Sequence, residues 1–430
     1  MVKRDRNDEA RPAENTSAYA WYVTVVLMFA MTVSYIDRRL PIILVEAIRR
    51  DLRLSDTEVG LLTGLAFAGV YAAAGIPMAN LADRGSRSKL LGWSVLVWSA
   101  CTALGGLAPG FWTLALSRAG VAAASATCTP ASHSLIADYV PASHRSRAIS
   151  VFLVGSPLGG LLGLVLGGWI NDLANWRTAL IMAIVPGVIL TLLILGTVRE
   201  PERKRQRSAE KSRGATIEEA VSTIWRTPSL RWIIVAMTLA GTSGAAITAF
   251  GPAYVIRSFG LTTAEVGLSF GFALAAAGTL GTLLGGWMGD RLRDRGAHVT
   301  LAGIGLAIAA GPLVFAGALF TQNFWLFLGG ITFFQASYLM CGAPSFASIQ
   351  SIIDSRMHAM ASAIVLFGVS GVGLSVGPLL TGVISDALGA VGPVMSLRWA
   401  LFAMLGFHLA GAAFYLLASR AAGREAGARS

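Results

Sequence analysis

Glu58-Val59-Gly60 opens an apolar run that Asp83-Arg84 closes, and 207 residues later Glu265-Val266-Gly267 opens a second run that Asp290-Arg291 closes. Inside the runs, Leu61, Gly64, Ala66 and Ala68 recur as Leu268, Gly271, Ala273 and Ala275. The same markers at the same offset at both ends make the chain an internal duplication. Working outward from this pair, runs apolar enough to cross a bilayer fall at roughly 20–44, 59–80, 90–107, 112–136, 148–170, 177–198, 232–256, 265–289, 299–320, 324–350, 358–385 and 397–419. The expected fold class is therefore an all-α polytopic membrane protein, with twelve transmembrane helices in two six-helix pseudo-repeats. Parallel repeats of this kind are a transporter architecture, with the binding site between the halves near the midplane.

Composition agrees. The 430 residues are 54% hydrophobic and 13% charged, with 49 glycines, too apolar for a soluble enzyme of this size. The net charge of +11 raises nucleic acid as a partner, but the placement of the basic residues argues against it. With the amino terminus inside, 25 of the 34 Lys and Arg fall in cytoplasmic segments, 6 in the opposite loops, and Arg38, Arg39 and Arg118 within spans. That bias predicts both termini in the cytoplasm of a multi-pass protein of the cell membrane. The expected organisation is a tail over 1–19, six-helix bundles over 20–198 and 232–419, a linker over 199–231 and a tail over 420–430. The linker is basic around Arg203-Lys204-Arg205, and Thr216 to Trp225 has the spacing of a short surface helix. The charged head lacks the short apolar region of a cleaved signal, so the first span is expected to act as the insertion signal. Cys101, Cys128 and Cys341 lie in apolar spans without metal-ligand spacing and read as small core residues.

One stretch breaks the apolar pattern. Tyr35-Ile36-Asp37-Arg38-Arg39 sets three consecutive charges inside the first span, and of 23 Asp and Glu only Asp37 falls within a span rather than in a loop or at a helix end. Counting from Trp21 at 1.5 Å per residue puts Asp37 roughly 24 Å deep, and counting from Trp112 puts Arg118 roughly 9 Å from the opposite end. The depths match within a turn, so Asp37 and Arg118 are expected to face one cavity, with Asp37 a protonation site. A structural Asp37 and Arg38 pair is the alternative. Ionisable groups at this depth are costly and mark ion or substrate pathways.

Enzyme chemistry has no foothold. No two of the five histidines share a metal-ligand motif, and neither a Gly-x-Ser-x-Gly elbow nor a phosphate-binding glycine loop is present. No cofactor is expected beyond a proton gradient, and the partners are the bilayer and a small-molecule substrate, with a monomer as the working unit.

The loop after the second span, Ala79-Asn80-Leu81-Ala82-Asp83-Arg84-Gly85-Ser86-Arg87-Ser88-Lys89, resembles the major facilitator signature, and Gly286-Trp287-Met288-Gly289-Asp290-Arg291 resembles its second copy. The fit is degenerate at Ala79, Ser86 and Ser88. The resemblance implies the major facilitator fold, with Asp83, Arg84, Arg87, Lys89, Asp290 and Arg291 as a cytoplasmic gate of individually weak pairs. Within the superfamily, Tyr35-Ile36-Asp37-Arg38, the stretch from Leu54-Ser55-Asp56 to Gly64, Ser117-Arg118 and the stretch from Pro130 to Tyr139 are similar to the Spinster-like transporters. That likeness implies that Asp37 carries a coupling proton with Arg38 and Arg118 nearby. Ser125 stands where the family usually has Glu, which removes an acidic partner and bears on the coupling or its relay.

Burial and neighbouring arginines act on a carboxylate in opposite directions, so a cavity alternating between wet and dry can load and unload a proton. Three intramembrane cations against one anion lean toward a small organic anion or anionic amphiphile such as a lysolipid as substrate. Arg39, about 100° round the helix from Arg38, either adds to this charge or snorkels to the interface. Further candidates for cavity lining are Tyr35, Ser125, Thr129, Thr242, Thr248, Tyr254, Gln335 and Tyr338, although such groups serve equally as interhelical glue. Competing functions are an uncoupled facilitator or drug-type efflux carrier and, in another class, a receptor or scaffold without transport.

Overall fold

The repeated Glu-Val-Gly marker has a structural meaning at both sites in the computed structural model, which describes residues 18–201, 217–354 and 357–427. Ser55 accepts from the Glu58 amide at 3.1 Å while the Glu58 carboxylate accepts from the Ser55 amide at 2.8 Å. Thr262 and Glu265 make the same reciprocal pair at 3.3 and 2.9 Å. Each capping box satisfies two amides that a helix start leaves open, and so fixes where the second and eighth spans begin. The glycine that follows is a contact surface: a side chain on Gly60 would strike the Pro378 carbonyl, and one on Gly267 the Leu164 carbonyl. The marker thus encodes a helix start and a close approach to a helix of the other half.

Among the described residues there are twelve spanning helices. Ten are long and apolar enough by length and composition: the first (Ala18–Ile43), second (Asp56–Ala82), fifth (Ala142–Leu173), sixth (Trp176–Thr197), seventh (Pro228–Phe259), eighth (Thr263–Leu292), ninth (Ala297–Leu319), tenth (Phe324–Ile352), eleventh (Met360–Ala387) and twelfth (Pro393–Gly427). The third, Arg87–Gly106, carries Arg87 and Lys89 in its first turn. The fourth is interrupted between Phe111–Ser125 and Cys128–Tyr139. The twelfth helix runs past its expected end at residue 419. The amino-terminal tail before Ala18, linker residues 202–216 and the last three residues lie outside the described chain. The linker helix forms over Ile217–Arg226 and buries Ala220 and Ile224 against the bundle.

The ends of the halves adjoin on one face, called here the terminus side. Tyr19 donates to the Thr197 carbonyl at 2.7 Å, joining the first and sixth spans, and Ser229 donates to Glu425 at 2.6 Å, joining the seventh and twelfth. The opposite face is the far side.

Glycines in the fifth span let helices touch backbone to backbone. Gly155 and Gly159 press on the first span at Met28 and Thr32, and Gly168 presses on the eighth at Thr263. The halves meet along two seams, fifth against eighth and second against eleventh. At the second seam both helices widen into π turns, Leu65–Gly69 and Phe367–Gly373, which touch each other. Such turns re-aim side chains and recur at functional sites.

Candidate substrate cavity and its two ends

Three successive residues of the first span point three ways. Asp37 turns into its own half and is fully buried. One carboxylate oxygen accepts from Ser99 at 3.1 Å, with Trp98 and Thr102 alongside, and the other is buried without a hydrogen-bond partner among the described residues. Arg118 does not reach this carboxylate with a hydrogen bond. It donates to the Asp37 backbone carbonyl at 3.0 Å. That carbonyl is free because residue 41, which would donate to it in a continuous helix, is Pro41 and has no N–H. An unmet carbonyl in a membrane interior is costly, so Pro41 creates the acceptor and Arg118 fills it.

Arg38 turns the other way, toward the second span. Its guanidinium lies 4.2 Å from the Tyr71 ring centre, 5.0 Å from Tyr35 and 5.3 Å from Phe67. Arg118 approaches the same Phe67 ring at 4.8 Å. Phe67 belongs to the π turn of the second span and stacks on Tyr71 at 6.0 Å. Two cations therefore share one aromatic ring, each attracted by it while it holds them apart.

Arg38, Arg39, Arg118, Tyr35 and Phe67 form one wall of a 290 Å³ cavity between the halves. Gly244, Ala245, Thr248, Tyr338, Leu339 and Leu374 form the other. A second cavity of 510 Å³ lies between the fifth and eighth spans and shares Tyr35, Arg39 and Leu339 with the first. Its remaining lining is apolar or small apart from Ser156, Thr279 and Thr282. Among the described residues none of the three arginines makes an ion pair.

The candidates read from sequence divide accordingly. Arg38, Arg118, Tyr35, Thr248 and Tyr338 reach the cavity; Asp37 stands behind it, joined through Arg118, instead of facing it. Gln335 is buried one layer back and donates to Thr248. Thr242 and Tyr254 are six residues either side of Thr248, about 600° of helix, and so point elsewhere. The Thr242 hydroxyl bonds Thr238, and Tyr254 donates to Leu319 at 2.9 Å and accepts from Arg398 at 2.9 Å. Ser125 is buried with its hydroxyl on Ala122, and Thr129 is half-buried in the second part of the fourth span; neither lines these two cavities. Arg39 lines both cavities instead of snorkelling to the interface. Phe67 and Tyr71 escaped the sequence reading, although their four-residue spacing on an apolar helix beside two cations was a usable signal.

The far side is locked by charge. Arg257, near the end of the seventh span, pairs with Glu46 at 2.7 Å and with Asp56 at 2.7 Å, and Ser385 of the eleventh span donates to Asp56 at 2.6 Å. Glu46 and Arg257 are buried at 2% and 4% exposure, so this is an interior ion cluster that crosses between the halves. Burial alone would push the Glu46 carboxyl up. The guanidiniums of Arg49 and Arg257 outweigh it and hold the group below its ordinary 4.5. These residues looked like loop and helix-end charges in the sequence, and only the fold brings them together.

On the terminus side the ion pairs stay within one half. Arg87 pairs with Asp138 at 2.6 Å and Glu200 at 2.9 Å, and the Ser88 amide donates to Glu200 at 2.9 Å. Burial would raise Glu200, but the Ser88 amide and Arg87 keep it below its ordinary range. Lys89 is exposed. Asp290 is exposed at a cleft of 690 Å³, and Arg291 lies 5.2 Å from the Trp287 ring. The side chains of Asp83 and Arg84 lie outside what the structure describes. Among the described residues no ion pair joins the halves on this side.

Two six-helix halves around a cation-lined cavity, bolted at one end, define a membrane transporter and not an enzyme. The chain matches the family model for the Major Facilitator Superfamily over residues 27–375. It belongs to that superfamily. It is 34% identical to an MFS-type efflux pump of Mycolicibacterium smegmatis, over 93% of this chain and 92% of that protein. It is 24% identical to Protein spinster of Drosophila melanogaster, over 86% of this chain and 62% of that longer protein. The structure of a bacterial homolog of the human lysosomal transporter Spinster, inward-facing and unoccupied, superposes with a TM-score of 0.86 at 26% identity, over 95% of this chain and 98% of that one.

Proposed function

We propose that the protein is a secondary carrier for a small organic anion with an apolar body, a lysolipid-like amphiphile being the best fit, and that it works by alternating access coupled to protons through Asp37. One observation carries the substrate class: three guanidiniums without a carboxylate partner line one wall of a cavity whose other wall is neutral and leads into an apolar cleft. Excess charge in a low dielectric needs a counter-ion, and an anionic head supplied by the substrate meets that need. The apolar part then lies toward Leu339 and the cleft between the fifth and eighth spans.

Coupling follows from how Arg118 is shared. An anion entering the cavity competes with the Asp37 carbonyl for the Arg118 guanidinium. Drawing Arg118 forward weakens its support of the neighbouring Asp37 carboxylate, whose unpartnered oxygen then takes a proton. Release of the anion returns Arg118 and expels the proton. The terminus side is assigned to the cytoplasm by the positive charge of its loops, in a protein of the cell membrane with both termini inside. The far-side lock then corresponds to a state open toward the cytoplasm. The energy source is the proton gradient, without a further cofactor, and both walls of the cavity come from one chain, so a monomer suffices.

The test is proton movement in reconstituted vesicles, wild type against Asp37→Asn, as organic acids and lysolipids are added. Substrate-driven proton flux that disappears in the variant supports the reading. Equal substrate flux with and without Asp37, with no proton movement, makes the protein a facilitator and Asp37 structural. The similarity to an efflux pump favours one second reading, a drug-type exporter, for which cationic or neutral drugs would compete and organic anions would not.

A further inference from the structure

We propose that the far-side gate is a pair of reciprocal carboxylate clamps of unequal strength, and that the seam between the fifth and eighth spans parts before the seam between the second and eleventh. Asp386, in the last turn of the eleventh span, accepts from the amides of Asp56 at 3.0 Å and Thr57 at 2.8 Å, in the first turn of the second span. Asp172, in the last turn of the fifth span, accepts from the amide of Ala264 at 2.7 Å, in the first turn of the eighth. Those amides have no partner within their own helices and carry the positive end of the helix dipole, so a carboxylate is the ligand they favour.

The clamp is written in the sequence as a second duplication. Gly168-Trp169-Ile170-Asn171-Asp172 and Gly382-Val383-Ile384-Ser385-Asp386 share Gly, Ile, a short polar residue and Asp in register. Each Gly lets its helix lie against the partner's first turn, Gly168 on the Thr263 carbonyl and Gly382 on the Asp56 carbonyl. Each half thus caps the other's second helix, and the two clamps are related by the same repeat as the capping boxes they face.

They differ most in the charge they face. Where the second span has Asp56, the eighth has Thr263. On the second–eleventh seam, Ser385 and Arg257 both hold Asp56, and Arg257 reaches on to buried Glu46. On the fifth–eighth seam the corresponding contact is a neutral bond from Asn171 to Thr263 at 3.0 Å, and the two clamp carboxylates themselves, Asp172 and Asp386, are both exposed. One seam is clamp plus buried charge, and the other is clamp alone. The weaker seam also runs along the larger cavity, through Leu164 and Gly271. Its parting opens a route from that cleft to the far side while the other seam still holds the halves in register.

This inference rests on the alternating-access reading, but its test reads seam distances and not transport. Spin labels are placed at Leu173→Cys with Leu268→Cys across the fifth–eighth seam, and at Arg53→Cys with Leu388→Cys across the other, after replacing the three native cysteines by Ser. In the full-length protein in lipid nanodiscs, Asp172→Ala is expected to shift the first pair to longer distance and leave the second unchanged. Asp386→Ala alone is expected to shift neither pair; combined with Arg257→Gln it shifts the second. A shift of the second pair in Asp386→Ala as large as that of the first in Asp172→Ala overturns the inequality, and no shift in Asp172→Ala overturns the clamp. If Asp172→Ala does not fold, Asp172→Asn, which keeps one acceptor oxygen, must show a smaller shift in the same direction. Absence of substrate-driven proton flux in the wild-type protein, with the expected distance shifts observed, would sink the proposed coupling and leave this inference standing.

Discussion

The two walls of the central cavity come from the same duplicated helical unit and have opposite chemistry. The amino-terminal wall holds Arg38, Arg39 and Arg118 around Tyr35 and Phe67, and the carboxy-terminal wall offers Thr248 and Tyr338 among Gly, Ala and Leu. Duplication kept what the backbone needs, the capping boxes and the contact glycines, and let the cavity surfaces diverge. The same imbalance holds at the far side, where the amino half supplies Glu46 and Asp56 and the carboxy half answers with Arg257. A polar head is oriented by such a site, because only one wall can neutralise it.

The comparison breaks first at Arg118. Arg118→Ala removes a cavity cation and strands the Asp37 carbonyl, a loss of several kcal/mol, so anion flux is expected to fall about 100-fold or more, at 1.4 kcal/mol per tenfold. Arg118→Lys should not restore it, since one ammonium cannot reproduce the planar fork of donors. Near-normal flux in either variant would show that the charged wall does not bind the substrate. Next comes the lock. Arg257→Gln removes the cation that bridges the halves, leaving Glu46 to Arg49 and Arg50 and Asp56 to Ser385 and Arg49. The loss of charged hydrogen bonds is worth about 2–3 kcal/mol, read as a lower melting temperature and as alkylation of an Ala245→Cys probe in the cavity from the far side. Unchanged stability and accessibility would mean that the far side is closed by packing alone.

A pH dependence follows from the same cluster. Opening the far side returns Glu46 to water and to its ordinary 4.5, whereas in the closed state Arg49 and Arg257 hold it lower despite its burial. The open state therefore binds protons more tightly, and the contribution of Glu46 to closure is complete above about 4.5 and fades as the pH falls beneath it. Far-side accessibility should rise on acidification through that range in wild type and lose that rise in Glu46→Gln. A rise on alkalinisation instead would reverse the assignment.

The span count, the duplication and the isolation of Asp37 were legible because each is a one-dimensional pattern: hydropathy, an offset, and a lone charge. The cavity lining was legible only in part. Thr248 and Thr242 are chemically alike in sequence, and helical phase alone separates the one that faces the cavity. The role of Pro41 lay hidden because the carbonyl it frees belongs to a residue four positions earlier and its donor, Arg118, comes from another helix. Glu46, Asp56 and Arg257 were passed over as surface charges. Their burial exists only once the two halves meet, and no local window contains that meeting. The second duplication, ending in Asp172 and Asp386, stood in plain sequence but had no stated job until its partner amides were located.

The smallest expected effect is the one that most sharpens the contrast between the walls. Phe67→Ala removes a ring shared by two guanidiniums, worth about 0.5–1 kcal/mol for each contact, so anion affinity should drop about fivefold to thirtyfold while the fold survives. Gln335→Ala acts on the neutral wall, where the amide only steadies Thr248 from behind. Losing one neutral hydrogen bond at a part-buried hydroxyl costs about 1 kcal/mol, and Thr248 keeps its own helix carbonyl, Gly244, as acceptor at 2.8 Å. The change in anion affinity should therefore be threefold or less, and it should be the same for an anion and for an uncharged analogue of it. Phe67→Ala should discriminate between those two ligands, since it acts through the cations. If Gln335→Ala weakens the anion selectively, the carboxy-terminal wall takes part in reading charge after all, and the division of labour between the halves has to be redrawn.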